Sequence, residues 1–358
     1  SSVTIETSLI ERNQWSGIVL AEGAASVTNT RIVDNGGTGI RADWTGGSLT
    51  LSGNRMSGNR YPLQLTTDKL GATSGESIDS LLGNTNDSLI VVCCGNISAP
   101  DTLRTSPKLP WRIDNTDLTF VDSTIWKIEA GATIGMTQGT FFTFDGGALR
   151  ADGDTARILF TSADQNRGDW GHLLFNSTTD TSLIRNVEFK YGGGHGTNGT
   201  LRIASSIVHP VVLDTVNINN SSTTGLRLNG PSIVTGPVVV DSNDGTGMLV
   251  RYADISLTDS RFVGNGGHGL WSNSQATGLT VERSVMSDNG DWGASLSGDN
   301  TTVGNSSLTG NTNGGLWIGA TSPVVRGDTI ESNGGTGLDV SDASNSVVEN
   351  NIIADNSN

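Results

Sequence analysis

Residues 308–340 read LTGNTNGGLWIGATSPVVRGDTIESNGGTGLDV and contain one unit of a repeat with the start of the next. Asn311 is followed four residues later by Gly315, and the same pair returns 22 residues on as Asn333 and Gly337. Apolar and polar residues alternate after each Gly, which is the period of a β-strand rather than of a helix. The stretch therefore predicts short strands that turn back on themselves at a fixed interval.

The same pattern extends along most of the chain. In two blocks, at spacings of 22 to 24 residues, the repeated position is occupied by Asn13, Asn35 and Asn59, and then by Ser221, Asn243, Asn265, Asn289, Asn311, Asn333 and Asn356. An apolar residue stands three positions before each of them, and Gly stands four positions after most of them. Because the apolar columns persist over ten repeats, a disordered linker rich in Ser, Asn and Gly is excluded.

Each repeat has room for three short strands and none for a helix. Successive repeats that stack in register would pair these strands in parallel, about 4.8 Å apart. A leucine-rich repeat is the alternative, but it would need a longer apolar signature and usually a helical segment. The sequence therefore predicts an all-β fold, a right-handed parallel β-helix with three strands in each coil of about 22 residues.

The repeated Asn and Gly each have a physical reason. An Asn amide can satisfy turn backbone groups, and in a stack it can donate to the next coil and accept from the previous one. Gly four residues later suggests a bend in which φ is positive. We therefore expect a column of hydrogen-bonded Asn side chains along the axis.

The regularity of the repeat divides the chain into four parts. Residues 1–59 are predicted as N-terminal coils and residues 60–108 as an irregular junction, where Tyr61-Pro62 interrupts the pattern. Residues 109–215 suggest irregular coils, and residues 216–358 regular ones.

The composition limits the partners. The chain has 36 acidic and 21 basic residues, a net charge of −15, and no apolar run of transmembrane length. Nucleic-acid binding and a membrane span are therefore not expected. Asp outnumbers Glu by 27 to 9, which suits calcium-rich or saline surroundings and equally suits β-turns. No cofactor is required by the sequence, and calcium stays open as a ligand.

Cys93 and Cys94 are the only cysteines, and they are adjacent. Neighbouring residues of a strand point to opposite faces, so a disulfide between the two is not expected. Their spacing does not fit a zinc site, and an interchain disulfide stays open.

Four segments between the two regular blocks resemble a block that recurs in secreted bacterial and archaeal β-helix surface proteins: Leu109-Pro110-Trp111, Ile128-Glu129-Ala130-Gly131-Ala132, Ile158-Leu159-Phe160-Thr161-Ser162 and Gly168-Asp169-Trp170-Gly171. The Asn-x-x-x-Gly coils resemble the repeat of the pectate-lyase-like superfamily. Together these similarities cover most of the chain. They imply a β-helix and an extracellular or cell-surface location, but this superfamily holds lyases, hydrolases, phage tailspikes, adhesins and inert stalks.

The resemblance makes polysaccharide cleavage one function to test. Hydrolases of the polygalacturonase type carry motifs of which this chain has Asn115-Thr116-Asp117, Gly194-His195-Gly196, Gly267-His268-Gly269 and a partial Arg202-Ile203. Their Asp-Asp pair is missing from the sequence, and inverting hydrolysis needs two carboxyl groups. Asp117 and His195 remain as catalytic candidates, with His195 in a Gly-rich segment, 192–199, predicted as a surface loop. His268 occupies the slot that holds Thr in other repeats and is interpreted as a turn residue.

A lyase would need calcium held by clustered carboxylates and a base nearby. Asp34, Asp288 and Asp355 each precede a repeated Asn, but no two of them lie in neighbouring coils. The metal site therefore stays unassigned.

One outward-facing position carries the clearest surface signal. Six residues after the repeated position the second block reads Arg227, Leu249, Trp271, Ser295, Trp317 and Asp339. Trp271 and Trp317 are two coils apart, or about 10 Å at the usual strand spacing. Together with Leu249 they predict either stacking on sugars or a lateral protein contact, the commoner role of exposed apolar patches.

The two ends of the repeat suggest a role for the whole chain. Val3 already belongs to a repeat and Ile353 lies close to the last residue, so neither end carries a polar cap. We therefore expect a segment of a longer β-helix, such as a stalk or adhesin, or a subunit that stacks head to tail on other copies. A polysaccharide-binding or polysaccharide-cleaving protein, with glycans as partners, is the alternative. Ice binding is set aside because there is no regular outward column of Thr.

Overall fold

The computed structural model describes residues 2–44, 46–75, 78–92, 95–98, 102–106, 108–194, 196, 199–341 and 343–357. Cys93, Cys94 and His195 lie outside these ranges. The chain forms two compact units, residues 1–164 and residues 165–358, which are described separately.

The first unit is built from short strands and two 3-10 helical segments, Thr67–Gly75 and Ile78–Leu81. Its strands are β1 (Ser2–Glu6), β2 (Leu9–Glu11), β3 (Ile18–Val19), β4 (Ala24–Thr28), β5 (Arg31–Val33), β6 (Thr38–Ala42), β7 (Leu49–Ser52), β8 (Arg55–Ser57), β9 (Tyr61–Leu65), β10 (Leu89–Val91), β11 (Gly95–Ile97), β12 (Thr102–Thr105), β13 (Trp111–Ile113), β14 (Asp117–Phe120), β15 (Ile125–Ile128), β16 (Thr133–Met136), β17 (Phe141–Asp145), β18 (Ala148–Asp152) and β19 (Ile158–Ser162). They pair in parallel with strands of neighbouring coils, as in β1-β4-β7, β2-β5-β8 and β3-β6-β9-β10-β13-β16-β19.

The second unit repeats this plan with greater regularity. Its strands are β20 (Leu173–Ser177), β21 (Ser182–Lys190), β22 (Leu201–Ile203), β23 (Val211–Asn219), β24 (Leu226–Leu228), β25 (Ser232–Val234), β26 (Val238–Asp241), β27 (Met248–Val250), β28 (Ser256–Thr258), β29 (Arg261–Val263), β30 (Leu270–Ser272), β31 (Thr280–Glu282), β32 (Val285–Ser287), β33 (Trp292–Leu296), β34 (Thr302–Gly304), β35 (Ser307–Thr309), β36 (Gly314–Ile318), β37 (Val324–Arg326), β38 (Thr329–Glu331), β39 (Thr336–Asp339), β40 (Val347–Glu349) and β41 (Ile352–Ala354).

Three parallel sheets run through the regular coils of the second unit. Strands β24, β27, β30, β33, β36 and β39 form the sheet that we call the face sheet, and β22 and β20 extend it. The other two sheets contain β26-β29-β32-β35-β38-β41 and β28-β31-β34-β37-β40. This pairing confirms the predicted all-β parallel β-helix, wound in the right-handed sense that parallel crossovers adopt.

The core is one side chain deep and arranged in columns. Met286, Leu308 and Ile330 are register partners on consecutive coils, and all three are fully buried. Burying each such side chain contributes about 1.5–3 kcal/mol. Because the columns follow the strand register, the outward residues between the buried ones are lined up as well.

The Asn side chains form hydrogen-bonded columns in both units. The Nδ2 atom of Asn289 donates to Oδ1 of Asn311 at 2.9 Å, and Asn311 donates to Asn333 at 2.9 Å. Nδ2 of Asn311 also donates to the carbonyl oxygen of Met286, and its Oδ1 accepts from the backbone N–H of Asn289. The same bonds join Asn13 to Asn35 to Asn59, and Asn243 to Asn265 to Asn289, and they join Asn333 to Asn356. The column in the first unit continues to Asn84, within the predicted junction.

The bend in each coil lies at the residue just before the repeated Asn position, rather than at the Gly four residues after it. All ten residues at this site have φ between 53° and 70°: Arg12, Asp34, Gly58, Asn220, Ser242, Gly264, Asp288, Gly310, Ser332 and Asp355. This explains the three Asp residues that precede a repeated Asn, because Asp tolerates left-handed backbone.

The expected positive φ at the Gly four residues after the Asn is wrong. All eight of these glycines are described, and none has φ in the left-handed region. Gly is needed there because the next coil approaches closely. A Cβ atom on Gly269 would lie 2.7 Å from Nδ2 of Asn289 and 2.6 Å from the carbonyl oxygen of Gly293.

A second polar column runs through the other turn of the regular coils. The backbone N–H of Ser260 donates to Oγ of Ser284, and that of Ser284 donates to Oγ of Ser306, each at 3.1 Å. The N–H of Ser306 then donates to Oδ1 of Asp328 at 2.7 Å, and the N–H of Asp328 donates to Oδ1 of Asn351 at 2.8 Å. Asp328 is thus a carboxylate within a column of neutral groups.

The predicted interruption at Tyr61-Pro62 is wrong in its position. Both residues belong to β9, which pairs with β6. Pro62 is tolerated there because the pairing of β9 with β10 begins only at Leu63, so the missing N–H costs no bond on that side. The excursion that follows contains the two 3-10 segments.

Candidate functional site

The outward residues of the face sheet lie in register across its strands. Leu249 is paired with Trp271, Trp271 with Ser295, and Ser295 with Trp317. Leu249 and both tryptophans are half-buried, whereas Ser295 is only 8% exposed. A small residue between two large rings leaves a depression with an aromatic wall on each side.

This depression is a cleft of about 380 Å³. Its lining residues are His268, Trp271, Asp291, Trp292, Ser295, Ser297 and Trp317. The spacing of the sequence repeat identified two of its three tryptophans but not Trp292, which belongs to a neighbouring column at the start of β33.

Glycines let two of the rings lie against the backbone of the sheet. Trp292 is paired with Gly314, where a Cβ atom would overlap the indole ring. A Cβ atom on Gly319 would lie 2.6 Å from the Cη2 atom of Trp317. The rings of Trp292 and Trp317 therefore lie close to the backbone of the sheet, and aromatic walls of this kind suit a flat, partly apolar ligand.

His268 lies at the rim of the cleft. Its backbone occupies the predicted turn position, but its side chain lines the cleft, with Nε2 3.4 Å from Oδ2 of Asp291 on the next coil. Burial lowers the pKa of His268, and the negative charge of Asp291 opposes part of that shift. Nδ1 is buried without a hydrogen-bond partner among the described residues. The pair can accept and donate hydrogen bonds and can hold a proton.

A basic side chain lies against one aromatic wall. The guanidinium carbon of Arg251 is 5.5 Å from the centre of the Trp271 ring, within the range of a cation–π interaction. This contact places a positive charge beside Trp271, at that end of the cleft.

The two catalytic candidates lie elsewhere or outside the described residues. Asp117 is an exposed residue at the start of β14 in the first unit, and partial burial raises its pKa. His195 is not among the described residues, although Gly192, Gly193 and Gly194 before it are buried, which corrects the predicted surface loop at that end. The N–H groups of Gly193 and Gly194 donate to the carbonyl oxygens of Gly171 and Trp170, so the backbone there has partners without solvent.

Within the described ranges, no three His, Cys, Asp or Glu side chains come close enough together to hold a metal ion. In the same ranges, no helix has the length and apolar character needed to cross a membrane.

Comparison with known proteins supports the fold. No curated protein matches the sequence. The structure of a periplasmic alginate epimerase, AlgG, crystallised as a point mutant, matches with a TM-score of 0.50 and 8% identity over 94% of this chain and 78% of that one. The A-module of a mannuronan C-5 epimerase of Azotobacter vinelandii matches at 0.43, with 18% identity over 74% of this chain and 77% of that one. The tailspike receptor-binding domain of Siphovirus 9NA matches at 0.29, with 9% identity over 100% of this chain and 73% of that one.

A family model described as the right-handed beta helix region matches residues 171–323 and 239–358. Together these matches span residues 171–358, more than half of the 358-residue chain. With the parallel pairing of coils and the Asn columns, this match shows that the chain belongs to the right-handed β-helix family.

Proposed function

We propose that this protein is an extracellular β-helical scaffold that binds a glycan along the outer side of the face sheet. The observation that carries the proposal is the cleft in which Trp271, Trp292 and Trp317 surround Ser295. Aromatic faces bind the apolar faces of sugar rings, and a few polar groups at the rim fix their orientation. His268 and Asp291 supply such groups.

The proposal does not depend on the similarity to alginate epimerase AlgG, because 8% identity supports the fold alone. It depends on the chemistry of the lining. A rigid sheet also favours binding, because the rings are positioned before the ligand arrives and lose little freedom on association.

We propose binding rather than cleavage as the activity of this cleft. Among its lining residues Asp291 is the single carboxylate, whereas glycoside hydrolysis uses a pair of carboxyl groups in most families. Incubation with acidic and neutral polysaccharides, followed by assays for reducing ends and unsaturated products, tests this directly. Chain cleavage that is lost in His268→Ala or Asp291→Asn would replace the binding proposal with an enzymatic one.

The binding proposal is tested by retention of the protein in gels that contain one polysaccharide each. We expect retention of the wild type by at least one glycan and its loss in the double variant Trp271→Ala/Trp317→Ala. Trp15→Ala is the matched control, because Trp15 is 76% exposed and belongs to the first unit. Equal retention of the double variant and the control would overturn the proposal.

A second candidate function is structural, as a stalk or adhesin segment or as a head-to-tail filament subunit. It is favoured by the last coil, where Val347, Val348, Ile352 and Ile353 are 44–60% exposed. In the preceding coil the partners of Val348 and Ile353 are fully buried, so these positions belong to a core column. In a head-to-tail filament, a coil of a second copy would cover these side chains.

Sedimentation velocity and electron microscopy test this second role. A filament predicts rods that lengthen with protein concentration, and charged substitutions such as Ile353→Glu should stop the growth. Dispersed rods of one chain each at all concentrations would exclude the filament. If self-association is lost in Trp271→Ala/Trp317→Ala, the tryptophans form a lateral contact instead.

A further inference from the structure

Two columns of residues on the face sheet differ in charge from the rest of the chain. The first outward column reads Arg202, Arg227, Leu249, Trp271, Ser295, Trp317 and Asp339. The residues that directly follow the strands of this sheet from β22 to β36 are Ala204, Asn229, Arg251, Asn273, Ser297 and Gly319. These two columns contain no carboxylate before Asp339, although the chain as a whole has 36 acidic and 21 basic residues.

Three arginines are gathered at one end of these columns. Arg202 and Arg227 are register partners on adjacent strands, and Gly199 lies between their stems. Arg251 directly follows the next strand, β27, and its guanidinium lies over the ring of Trp271. Outward residues on adjacent strands are about 4.8 Å apart, which places Arg202 beside Arg227. Arg251 is close enough for its charge to act on Arg227 as well, so we treat the three guanidinium groups as one patch.

The positive charges of this patch act on one another. The pKa of Arg227 is lowered by burial and by the charges of Arg251 and Arg202. Burial, followed by the charge of Arg202, lowers the pKa of His172 to about 4, so this imidazole is neutral at pH 7. Repulsion of this kind is relieved when an anion binds.

Other arginines of the same unit are neutralised within the chain. Arg261 pairs with Asp241 at 2.7 Å, and Arg283 pairs with Asp259 at 2.9 Å. Arg202, Arg227 and Arg251 form no ion pair with any carboxylate of the described residues. In addition, Nε of Arg251 is buried without a hydrogen-bond partner there. A buried donor left unbonded costs about 1–3 kcal/mol.

We propose that Arg202, Arg227 and Arg251 form an oxyanion site for a carboxylate or sulfate group of the ligand. The site continues the tryptophan cleft along the same face, with Arg227 and Trp271 two strands apart, or about 10 Å. Guanidinium groups suit this ligand because their planar donors bind both oxygens of a carboxylate or sulfate. The statement that the anion is carried by a glycan rests on the function proposed above, whereas the anion site itself does not.

Calorimetric titration with two matched ligands tests the site. One ligand is an oligouronate, and the other is the same oligosaccharide after reduction of its carboxyl groups. We expect the wild type to bind the oligouronate at least tenfold more tightly, a difference of about 1.4 kcal/mol. Arg227→Gln should lose most of this preference, and Arg283→Gln, whose partner lies outside the face, should keep it. The preference should also shrink as salt is added, because exposed charges are screened.

Thermal melting with sodium sulfate separates the anion site from glycan binding. We expect sulfate to raise the melting temperature of the wild type more than sodium chloride of equal ionic strength does. Because sulfate also stabilises folded proteins generally by its exclusion from their surface, the gain due to the site is the part that Arg227→Gln loses and Trp271→Ala/Trp317→Ala keeps. A sulfate gain that Arg227→Gln reduces, without retention by any glycan, would overturn the glycan proposal and leave the anion site standing.

The opposite pattern would overturn the anion site. In that pattern, the wild type would bind the oligouronate and its reduced form equally, and sulfate would raise its melting temperature no more than that of Arg227→Gln. Arg251→Gln provides a second variant should Arg227→Gln fold poorly, and it should lose the same preference. An unchanged preference in both variants would also contradict the proposal.

Discussion

The Nε2 atom of His268 lies 3.4 Å from Oδ2 of Asp291, on the next coil and at the rim of the tryptophan cleft. Burial favours the neutral imidazole and Asp291 favours the charged one, so the two effects oppose each other.

Removing the charge of Asp291 should therefore lower the pKa of His268 further. We expect Asp291→Asn to shift the histidine titration in NMR spectra to lower pH, while Asp154→Asn, at an exposed site, leaves it in place. An unchanged titration in Asp291→Asn would mean that the two side chains do not interact in solution.

Asp328 makes stability depend on pH. Burial, the largest cause, raises the pKa of Asp328 from 3.8 to about 6, and the charge of Glu282 adds to this. The folded state then holds a proton that the unfolded state has lost, so stability should fall as pH rises from about 4 to about 6. Above that range Asp328→Asn should be more stable than the wild type by up to about 3 kcal/mol.

Urea unfolding between pH 4 and pH 8 measures this difference. Asn at position 328 can keep the bond from Ser306 and donate to the carbonyl of Val303, as Asn351 does to Val325. Asp154→Asn is the control. If Asp328→Asn raises the free energy of unfolding equally at pH 4 and pH 8, titration of Asp328 is not the origin of the increase.

The Asn column should contribute strongly to stability. Asn311→Ala removes the acceptor of two donors of Asn289 and leaves both buried. Each unsatisfied donor costs about 1–3 kcal/mol, so we expect a loss of about 3 kcal/mol or more in the free energy of unfolding. Asn86→Ala, at an exposed position, should change stability little. If Asn311→Ala lowers the free energy of unfolding no more than Asn86→Ala does, the Asn column does not stabilise the fold.

The Gly column should tolerate no side chain. Gly269→Ala would place a Cβ atom 2.6 Å from the carbonyl oxygen of Gly293, so two coils would have to move apart. Overpacking of this kind costs about 1–3 kcal/mol, and we expect hydrogen exchange to accelerate in the neighbouring coils. Gly71→Ala is the control, since nothing lies within 4 Å of its Cβ position. Equal melting temperatures for the two variants would contradict the steric explanation.

The sequence predicted the fold because its signal is periodic. Columns such as Met286, Leu308 and Ile330 recur at fixed spacing, and a fixed spacing of buried residues leaves few alternatives to stacked coils. The outward positions of Trp271 and Trp317 followed from the same count. The conformation at the turns did not, because positive φ and close approach both select Gly, and spacing alone does not separate them.

The cleft was only partly predictable for a related reason. Trp292 and His268 lie in a column beside that of Trp271, and their contacts depend on side-chain directions that the repeat does not encode. His268 matched the slot of a turn Thr and was interpreted as one, although its side chain lines the cleft. Likewise, the partners of Arg251 and Asp328 are set by neighbouring coils rather than by neighbours in sequence.

The residue with positive φ before each repeated Asn also allows a whole coil to be removed or added without disturbing its neighbours. Deletion of residues 243–264 would join Ser242 to Asn265 and recreate the junction found between Gly264 and Asn265, with inward and outward positions unchanged. The distance between Arg227 and Trp317 would then shorten by one strand spacing, about 4.8 Å. In a β-helix of this kind, gain or loss of whole coils would therefore set the distance between charged and aromatic groups. Neither group would need a change in its own coil.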